Sequence, residues 1–275
     1  MSEPTVLLTN DDGIDAPGLR ALYEALSAVA SVTVVAPRTN QSAVGRSLSY
    51  GRNGTEADRP NLADGVFSCH VPAVERELGY AVDGTPCDCV IAGVRGLEEP
   101  FDLVVSGCNP GANLGASVLS RSGTVSAAME AALLGTSAVA VSVDTIGYGE
   151  AMTTDAFERA TDIAADLVGD VIDADTDETP ALVNLNVPRP DRPITGAAVT
   201  RPAQRYEMSA ERVDGGFSIR NPLWEEIANG DVDESGVDRH AIVTGRVSVS
   251  PLTASGEYAP TESVQRFAER VDGER

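Results

Sequence analysis

In the first half of the chain, short apolar runs alternate with stretches of helical periodicity, and each run stops at a polar cluster. Thr-Val-Leu-Leu-Thr at 5–9 reads as a buried parallel strand. Pro17 then sits where a helix begins, and Leu19, Leu22, Tyr23 and Leu26 follow at i, i+3, i+4 and i+7, one apolar stripe. Residues 32–36 form a second strand stopped by Pro37. A long polar stretch, 37–65, reads as a functional loop. Thr85-Pro86-Cys87-Asp88 is a helix start, with Thr as N-cap and Pro at the first position. Residues 102–106 are a third strand, and a glycine-rich loop from Gly107 to Gly123 leads into an Ala-rich helix at 124–134, closed by Gly135. A strand at 138–143 and a helix at 154–168 follow. Such alternation specifies an α/β fold with a mostly parallel sheet.

After about residue 190 the character changes. Strand-like pieces at 181–187, 196–201 and 241–249 are separated by Pro- and Gly-rich turns, and a short amphipathic tail begins near Thr261. The expectation is a core over 1–190 and a small β-rich C-terminal appendage with a tail over 191–275.

At 275 residues the chain can bury a substantial core. No apolar run approaches the roughly 18 residues of a membrane span, and Met1-Ser2-Glu3-Pro4 has no basic leader, so the chain reads as cytoplasmic. Net charge is −22, and all 20 basic residues are Arg. The acids are spread along the chain, which argues against an acidic tail or a disordered protein. No basic patch invites nucleic acid. A folded surface with this much repulsion is tolerated best where salt screens it, the Debye length being about 3 Å at 1 M. A halophilic source is therefore favoured over a binder of basic partners. Cys69, Cys87, Cys89 and Cys108 show no zinc spacing and read as small buried thiols.

In an open α/β sheet, ligands bind beyond the carboxyl ends of the strands. Four segments lie there: Thr9-Asn10-Asp11-Asp12-Gly13, the stretch from Asn40 to Ser47, the stretch from Ser106 to Gly115, and Ser122-Gly123-Thr124. Adjacent carboxylates cannot both stay ionised without a counter-charge. A divalent cation supplies one, and oxygen donors suit Mg²⁺, Mn²⁺ or Ca²⁺ rather than zinc. With only His70 and His240 available, a His-built site is nearly excluded. Read alone, Asp11-Asp12-Gly13 is an ordinary turn, and Ser122 or Thr124 an ordinary helix cap. Together they place a metal beside a helix N-terminus that suits a phosphate. That pairing implies phosphate-ester hydrolysis by metal-activated water, with an Asp phospho-enzyme ranked second. GxGxxG, Walker A, GxSxG and HExxH patterns are all missing.

These segments together resemble the SurE family of 5′/3′-nucleotidases. The likeness is carried by Leu-Leu-Thr-Asn-Asp-Asp-Gly-Ile (7–14), Val-Val-Ala-Pro (34–37), Gln-Ser-Ala-Val-Gly (41–45) and Gly-Thr-Pro-Cys-Asp-Cys-Val (84–90). It continues in Val-Ser-Gly-Cys-Asn-Pro-Gly-Ala-Asn-Leu-Gly (105–115) and Ser-Gly-Thr-Val-Ser-Ala-Ala-Met-Glu (122–130), with weaker echoes at 183–188 and 247–252. The resemblance implies a Rossmann-like three-layer core and one Mg²⁺ or Mn²⁺ per subunit, used to release phosphate from nucleoside monophosphates. Carried over by position, Asp11, Asp12, Ser42 and Asn109 would hold the metal, with Asp11, Asp12 and Asn109 as catalytic residues. Asn10, Ser106, Gly107, Ser122, Gly123 and Thr124 would line the phosphate site. The family also implies a homodimer or homotetramer, which suits the tail after Thr261. Arg121 stands where family members usually carry His or an aromatic residue, and the stretch from Gly115 to Ser122 looks one residue longer. Two other readings stay open: a non-catalytic nucleotide- or metal-binding regulator, and a phosphatase for non-nucleotide esters or polyphosphate.

The charge pattern yields a direct expectation. The protein should melt at a distinctly higher temperature in molar KCl than in dilute buffer; equal melting curves would refute the halophilic reading.

Overall fold

The computed structural model describes residues 3–49, 69–174, 180–229, 233–254 and 260–273. The elements are β1 (Thr5–Thr9), α1 (Pro17–Leu26), β2 (Ser31–Pro37), β3 (Ala73–Glu75), β4 (Gly79–Val82), α2 (Pro86–Gly96), β5 (Leu103–Pro110), α3 (Ala116–Leu119), α4 (Gly123–Leu133), β6 (Ala138–Val143), α5 (Thr154–Asp173) and β7 (Leu182–Val187). They continue as β8 (Gly196–Val199), β9 (Ser209–Val213), β10 (Gly216–Arg220), α6 (Leu223–Ala228), α7 (Asp238–Val243), β11 (Arg246–Leu252) and α8 (Glu262–Gly273). Nine strands form one sheet in the order β3-β4-β2-β1-β5-β6-β7-β11-β8, and β9 and β10 form a separate hairpin.

From β4 to β7 the neighbouring strands all pair in parallel. At the margins, β3 runs antiparallel to β4, β11 antiparallel to β7, and β8 parallel to β11. Successive side chains of a strand point to opposite faces, and β1 shows the consequence. Val6 and Leu8 join a core with Leu19 and Leu22 of α1, Phe157 and Leu167 of α5, and Phe267 of α8. Leu7 joins Cys89 and Val90 of α2 and Val125 and Ala128 of α4 on the other face. The result is a three-layer α/β structure, as the alternation predicts.

Local chemistry explains several boundaries. Thr85 caps α2 by accepting from the Asp88 N–H at 3.2 Å, while Asp88 accepts from the Thr85 N–H at 2.7 Å, a closed capping box. Asp88 also takes the Ser49 hydroxyl at 2.5 Å, so the helix cap anchors the end of the described polar loop. Residues 50–65 of that loop lie outside the described residues.

The second half differs from expectation in three places. β8 and β11 are not an appendage: they extend the core sheet beyond β7, so a boundary at 190 would cut through one sheet. Only the β9–β10 hairpin stands apart from the sheet among the described strands. The stretch 241–249 is not one strand, because Asp238–Val243 is helical and ends before Gly245, whose φ of +78° suits glycine. The apolar stripe of the tail is spent at home, with Val264, Phe267 and Ala268 of α8 buried in the chain's own core. Among the described residues no helix is long and apolar enough to cross a membrane.

Candidate active site

β2 and β4 continue to one side of β1, whereas β5 and β6 continue to the other. A crevice opens where strand order reverses in this way, at the carboxyl ends of β1 and β5. Asp11 and Asp12 lie just past the end of β1, and Asn109 lies near the end of β5. Pairing of β5 with β6 runs Ser106 opposite Ala140 and then Asn109 opposite Ser142, one residue more on β5 than on β6. A bulge of this kind re-aims the side chain that follows it. Gly107 makes it possible: its φ is +137°, and a Cβ there would stand 2.2 Å from the Val141 carbonyl oxygen. Asn109 emerges with its amide nitrogen 2.7 Å from Asp11 Oδ1 and 2.9 Å from Asp12 Oδ2.

The loop after β2 closes the other side. Asn40 donates to Asp12 Oδ1 at 2.9 Å, and the Ser42 hydroxyl donates to the same oxygen at 3.3 Å. The Gln41 N–H bonds the Asp11 carbonyl at 2.6 Å, which fixes the loop to the Asp-Asp turn. Asn40 Oδ1 also accepts the Ser42 N–H at 2.8 Å, and Ala43 follows with φ of +63°. That conformation is strained for a residue with a Cβ, and Ala43 is on the cavity wall.

α4 supplies the third side. Ser122 caps it by accepting the Val125 N–H at 3.1 Å, and the Thr124 hydroxyl donates to Asp11 Oδ1 at 2.7 Å. Gly123 allows the helix to begin against Asp11, since a Cβ there would fall 2.6 Å from the Asp11 Cβ. Between these groups lies a cavity of about 240 Å³ lined by Asp11, Asp12, Ser42, Asn109, Ser122 and Thr124, with Arg121 on its wall. A second, more apolar cavity of about 380 Å³ borders Asp12 and Pro110 and is walled by Pro17, Met152 and Phe157.

Not every residue assigned to the phosphate site reaches this cavity. Asn10 is buried and turns inward, exchanging hydrogen bonds with Gly13 at 3.0 and 3.1 Å. Ser106 is fully buried behind the crevice, and Gly107 faces β6. These three shape the site from behind it. Conversely, sequence reasoning gave no role to Asn113, Asn184 and Asn186. Asn113 donates to Ser142 at 2.8 Å, Asn184 donates to the Asn113 carbonyl at 2.9 Å, and Asn186 accepts the Asn113 N–H at 2.7 Å. The available signal was Asn-Leu-Asn inside an apolar strand, because buried amides demand partners. Asp238 likewise holds the loop, accepting the Gly115 N–H at 2.6 Å and the Ala203 N–H at 3.0 Å.

Burial raises several carboxyls, Asp144 and Asp238 among them, and it bears on the acidic pair as well. Burial, reinforced by the neighbouring Asp12 charge, pushes the Asp11 carboxyl from 3.8 up to about 6 against the opposing hydrogen bond from Thr124. Burial also raises Asp12, although Ser42, Asn109 and Asn40 donate to it. A cation between the carboxylates would remove that penalty. Asn109 Oδ1 is buried with no hydrogen-bond partner among the described residues. Half a turn of the amide would direct this oxygen toward the carboxylates in place of the NH₂ group. Among the described residues no three His, Cys, Asp or Glu side chains converge, so a metal here would rely on two carboxylates and neutral oxygens. Such a donor set fits a hard divalent ion. By contrast, Cys87, Cys89 and Cys108 are buried, and burial pushes the Cys87 thiol up to about 12, which leaves it inert.

The family model for survival protein SurE matches residues 6–209. The chain belongs to the SurE family. It is 46% identical to the 5′-nucleotidase SurE of Halobacterium salinarum, over 92% of each chain. The corresponding protein of Haloarcula marismortui is 44% identical, covering 99% of this chain and 97% of its own. The crystal structure of the SurE protein from Aquifex aeolicus superposes with a TM-score of 0.71 at 34% identity, covering 91% of this chain and 94% of that one. The Rossmann-like architecture implied by the SurE resemblance is therefore the observed one.

The raised Asp11 carboxyl predicts a pH signature. A carboxyl whose pKa is higher folded than unfolded adds stability below about 4 and loses it as pH climbs through about 6. In EDTA, wild type should therefore lose stability relative to Asp11→Asn over that window, by on the order of 3 kcal/mol. Added Mn²⁺ should restore wild type more at pH 7 than at pH 5. Thermal melts of the two proteins across pH check this, and parallel curves would refute it.

Proposed function

We propose that this protein is a metal-dependent 5′-nucleotidase of the SurE type, hydrolysing nucleoside monophosphates to nucleoside and phosphate. The single observation that carries the reading is the convergence of Asp11, Asp12, Ser42 and Asn109 beside the N-terminus of α4. Relatives named 5′-nucleotidase SurE, similar over nearly the whole chain, support it. The four oxygen donors would hold one Mg²⁺ or Mn²⁺ per subunit. A divalent ion bound there supplies Lewis acidity, polarising a phosphoryl oxygen and lowering the pKa of water.

The chain's own residues do the rest. Ser122, Gly123 and Thr124 open α4, and the positive dipole end of the helix would face the phosphoryl oxygens. Thr124 fixes the Asp11 rotamer by a hydrogen bond from α4, so this carboxylate is oriented before substrate arrives, and the Asn109 amide, which donates to both carboxylates here, would turn its oxygen to the ion. Asn40 and Ser42 likewise orient Asp12. The more apolar cavity on the far side of Asp12 gives the leaving nucleoside a wall of Pro17, Met152 and Phe157.

The protein works in a salt-rich cytoplasm in this reading. That setting accords with a net charge of −22 and with relatives from Halobacterium and Haloarcula. It assembles as a homodimer or homotetramer. Since α8 is docked on its own chain, the β9–β10 hairpin is the better contact element, with Phe217 and Ile219 each about 70% exposed.

Phosphate release from AMP in molar salt tests the activity. Wild type should be active with Mn²⁺ or Mg²⁺ and silent in EDTA, and Asp12→Asn should lose roughly 100-fold or more in turnover with an unchanged circular dichroism spectrum. Activity indifferent to EDTA would end the mechanism. Sedimentation should give two or four subunits, reduced when Phe217 and Ile219 are both changed to Ser; a wild-type monomer would remove the assembly reading.

A further inference from the structure

The candidate cavity has a charge problem that the metal ligands do not solve. Its wall carries two carboxylates on a chain of net charge −22, yet its substrate would be an anion. Arginines near the crevice are mostly committed to acids. Arg38 pairs with Asp83 at 3.1 Å, and Arg46 pairs with Glu130 at 3.4 Å. Arg121 is different. It is the one cation on the wall of the cavity among the described residues, and it has no carboxylate partner among them.

Two neutral oxygens hold it instead. Nη1 donates to the Ser117 carbonyl at 3.0 Å, and Nη2 donates to the Tyr206 hydroxyl at 3.0 Å. The Tyr206 ring also lies under the guanidinium, 5.2 Å from its carbon to the ring centroid. A guanidinium has five N–H donors, so two bonds leave three for a ligand, and its full positive charge is not neutralised. The backbone at this position is fixed as well, since the Gly45 N–H bonds the Arg121 carbonyl at 3.1 Å and ties it to the loop that carries Ser42. Arg121 is exposed to solvent, yet two hydrogen bonds and the Tyr206 ring hold its guanidinium at the rim of the cavity with donors left over for an anion.

We propose that Arg121, clamped by Tyr206, is a specificity-determining residue that binds the phosphate group of the substrate from the side of the cavity facing the start of α4. This deepens the phosphomonoesterase reading and rests on it. Arg121 directly precedes the cap Ser122, so its charge adds to the N-terminal dipole of α4 at one end of the same cavity. Tyr206 comes from the segment between β8 and the hairpin, so the anion site is assembled from both halves of the chain.

The test uses the full-length protein in one molar-salt buffer with Mg²⁺. Inorganic phosphate binding is measured by calorimetry, and AMP hydrolysis is resolved into KM and kcat. A charge-assisted contact is worth about tenfold in affinity. Arg121→Ala and Arg121→Gln should each weaken phosphate binding and raise KM by about that factor, with a smaller effect on kcat. Arg121→Lys should recover part of the loss, as a point charge without the fork. Tyr206→Ala should weaken phosphate binding by an intermediate factor, and Tyr206→Phe less, since it keeps the ring. Unchanged phosphate affinity in folded Arg121→Ala and Arg121→Gln, with wild type active, would overturn the proposal. An unchanged Tyr206→Ala would overturn the clamp. A wild type that never releases phosphate from AMP would instead sink the nucleotidase reading, whatever Arg121 does.

Discussion

Two adjacent carboxylates, one buried and one half-buried where strand order reverses, are the constraint around which this molecule is organised. Left alone, Asp11 and Asp12 repel each other and resist ionisation in a buried setting. The surrounding elements supply only neutral donors: Thr124 and Asn109 to Asp11, and Asn40, Ser42 and Asn109 to Asp12. Neutral donors orient carboxylates without cancelling their charge. The site therefore remains short of positive charge by design of its donor set, and a hard cation is the natural complement.

Holding that arrangement takes the whole sheet. The bulge in β5 aims Asn109, and the buried amides of Asn184 and Asn186 on β7 support the Asn113 loop behind it. Asp238 of α7 reaches back to Gly115 and Ala203, tying the C-terminal third to the same loop. The later strands belong to the core sheet rather than to a separate lobe. A site on rigid elements keeps its geometry better than one on free loops.

The acidic composition and the site answer different demands. Dispersed Asp and Glu keep the surface charged where salt screens repulsion, whereas an anionic ester entering the crevice needs local positive potential. Arg46 and Arg38 are each drawn to a neighbouring acid, which removes them as ligands for an anion. Arg121 has a carbonyl and a phenol as its partners, so its charge is not paired with an acid among the described residues. The hairpin bears the opposite signature, with the apolar side chains of Phe217 and Ile219 exposed.

Periodicity and turn chemistry made most of the core legible without coordinates. β1 and β6 coincide with their predicted spans, and the Thr85-Asp88 capping box is local chemistry that needs no partner. The pair Asp11-Asp12 and the polar loop around Ser42 were also visible, because each follows an apolar run at the same sheet edge, and Ser122 or Thr124 was legible as the cap of the Ala-rich helix. What sequence could not decide was anything set by contacts between distant residues. The family resemblance puts Asn10, Ser106 and Gly107 in the phosphate site, but the register of β5 against β6 and an inward turn keep them off the cavity wall. Residues 238–243 carry an apolar pattern too short to separate strand from helix, and burial of Asp238 against the Gly115 loop decides for the helix. Arg121 and Tyr206 lie 85 residues apart, so only the folded chain brings ring and guanidinium together. Local propensity wrote the elements; the pairing of strands across the sheet selected which polar side chains share one crevice.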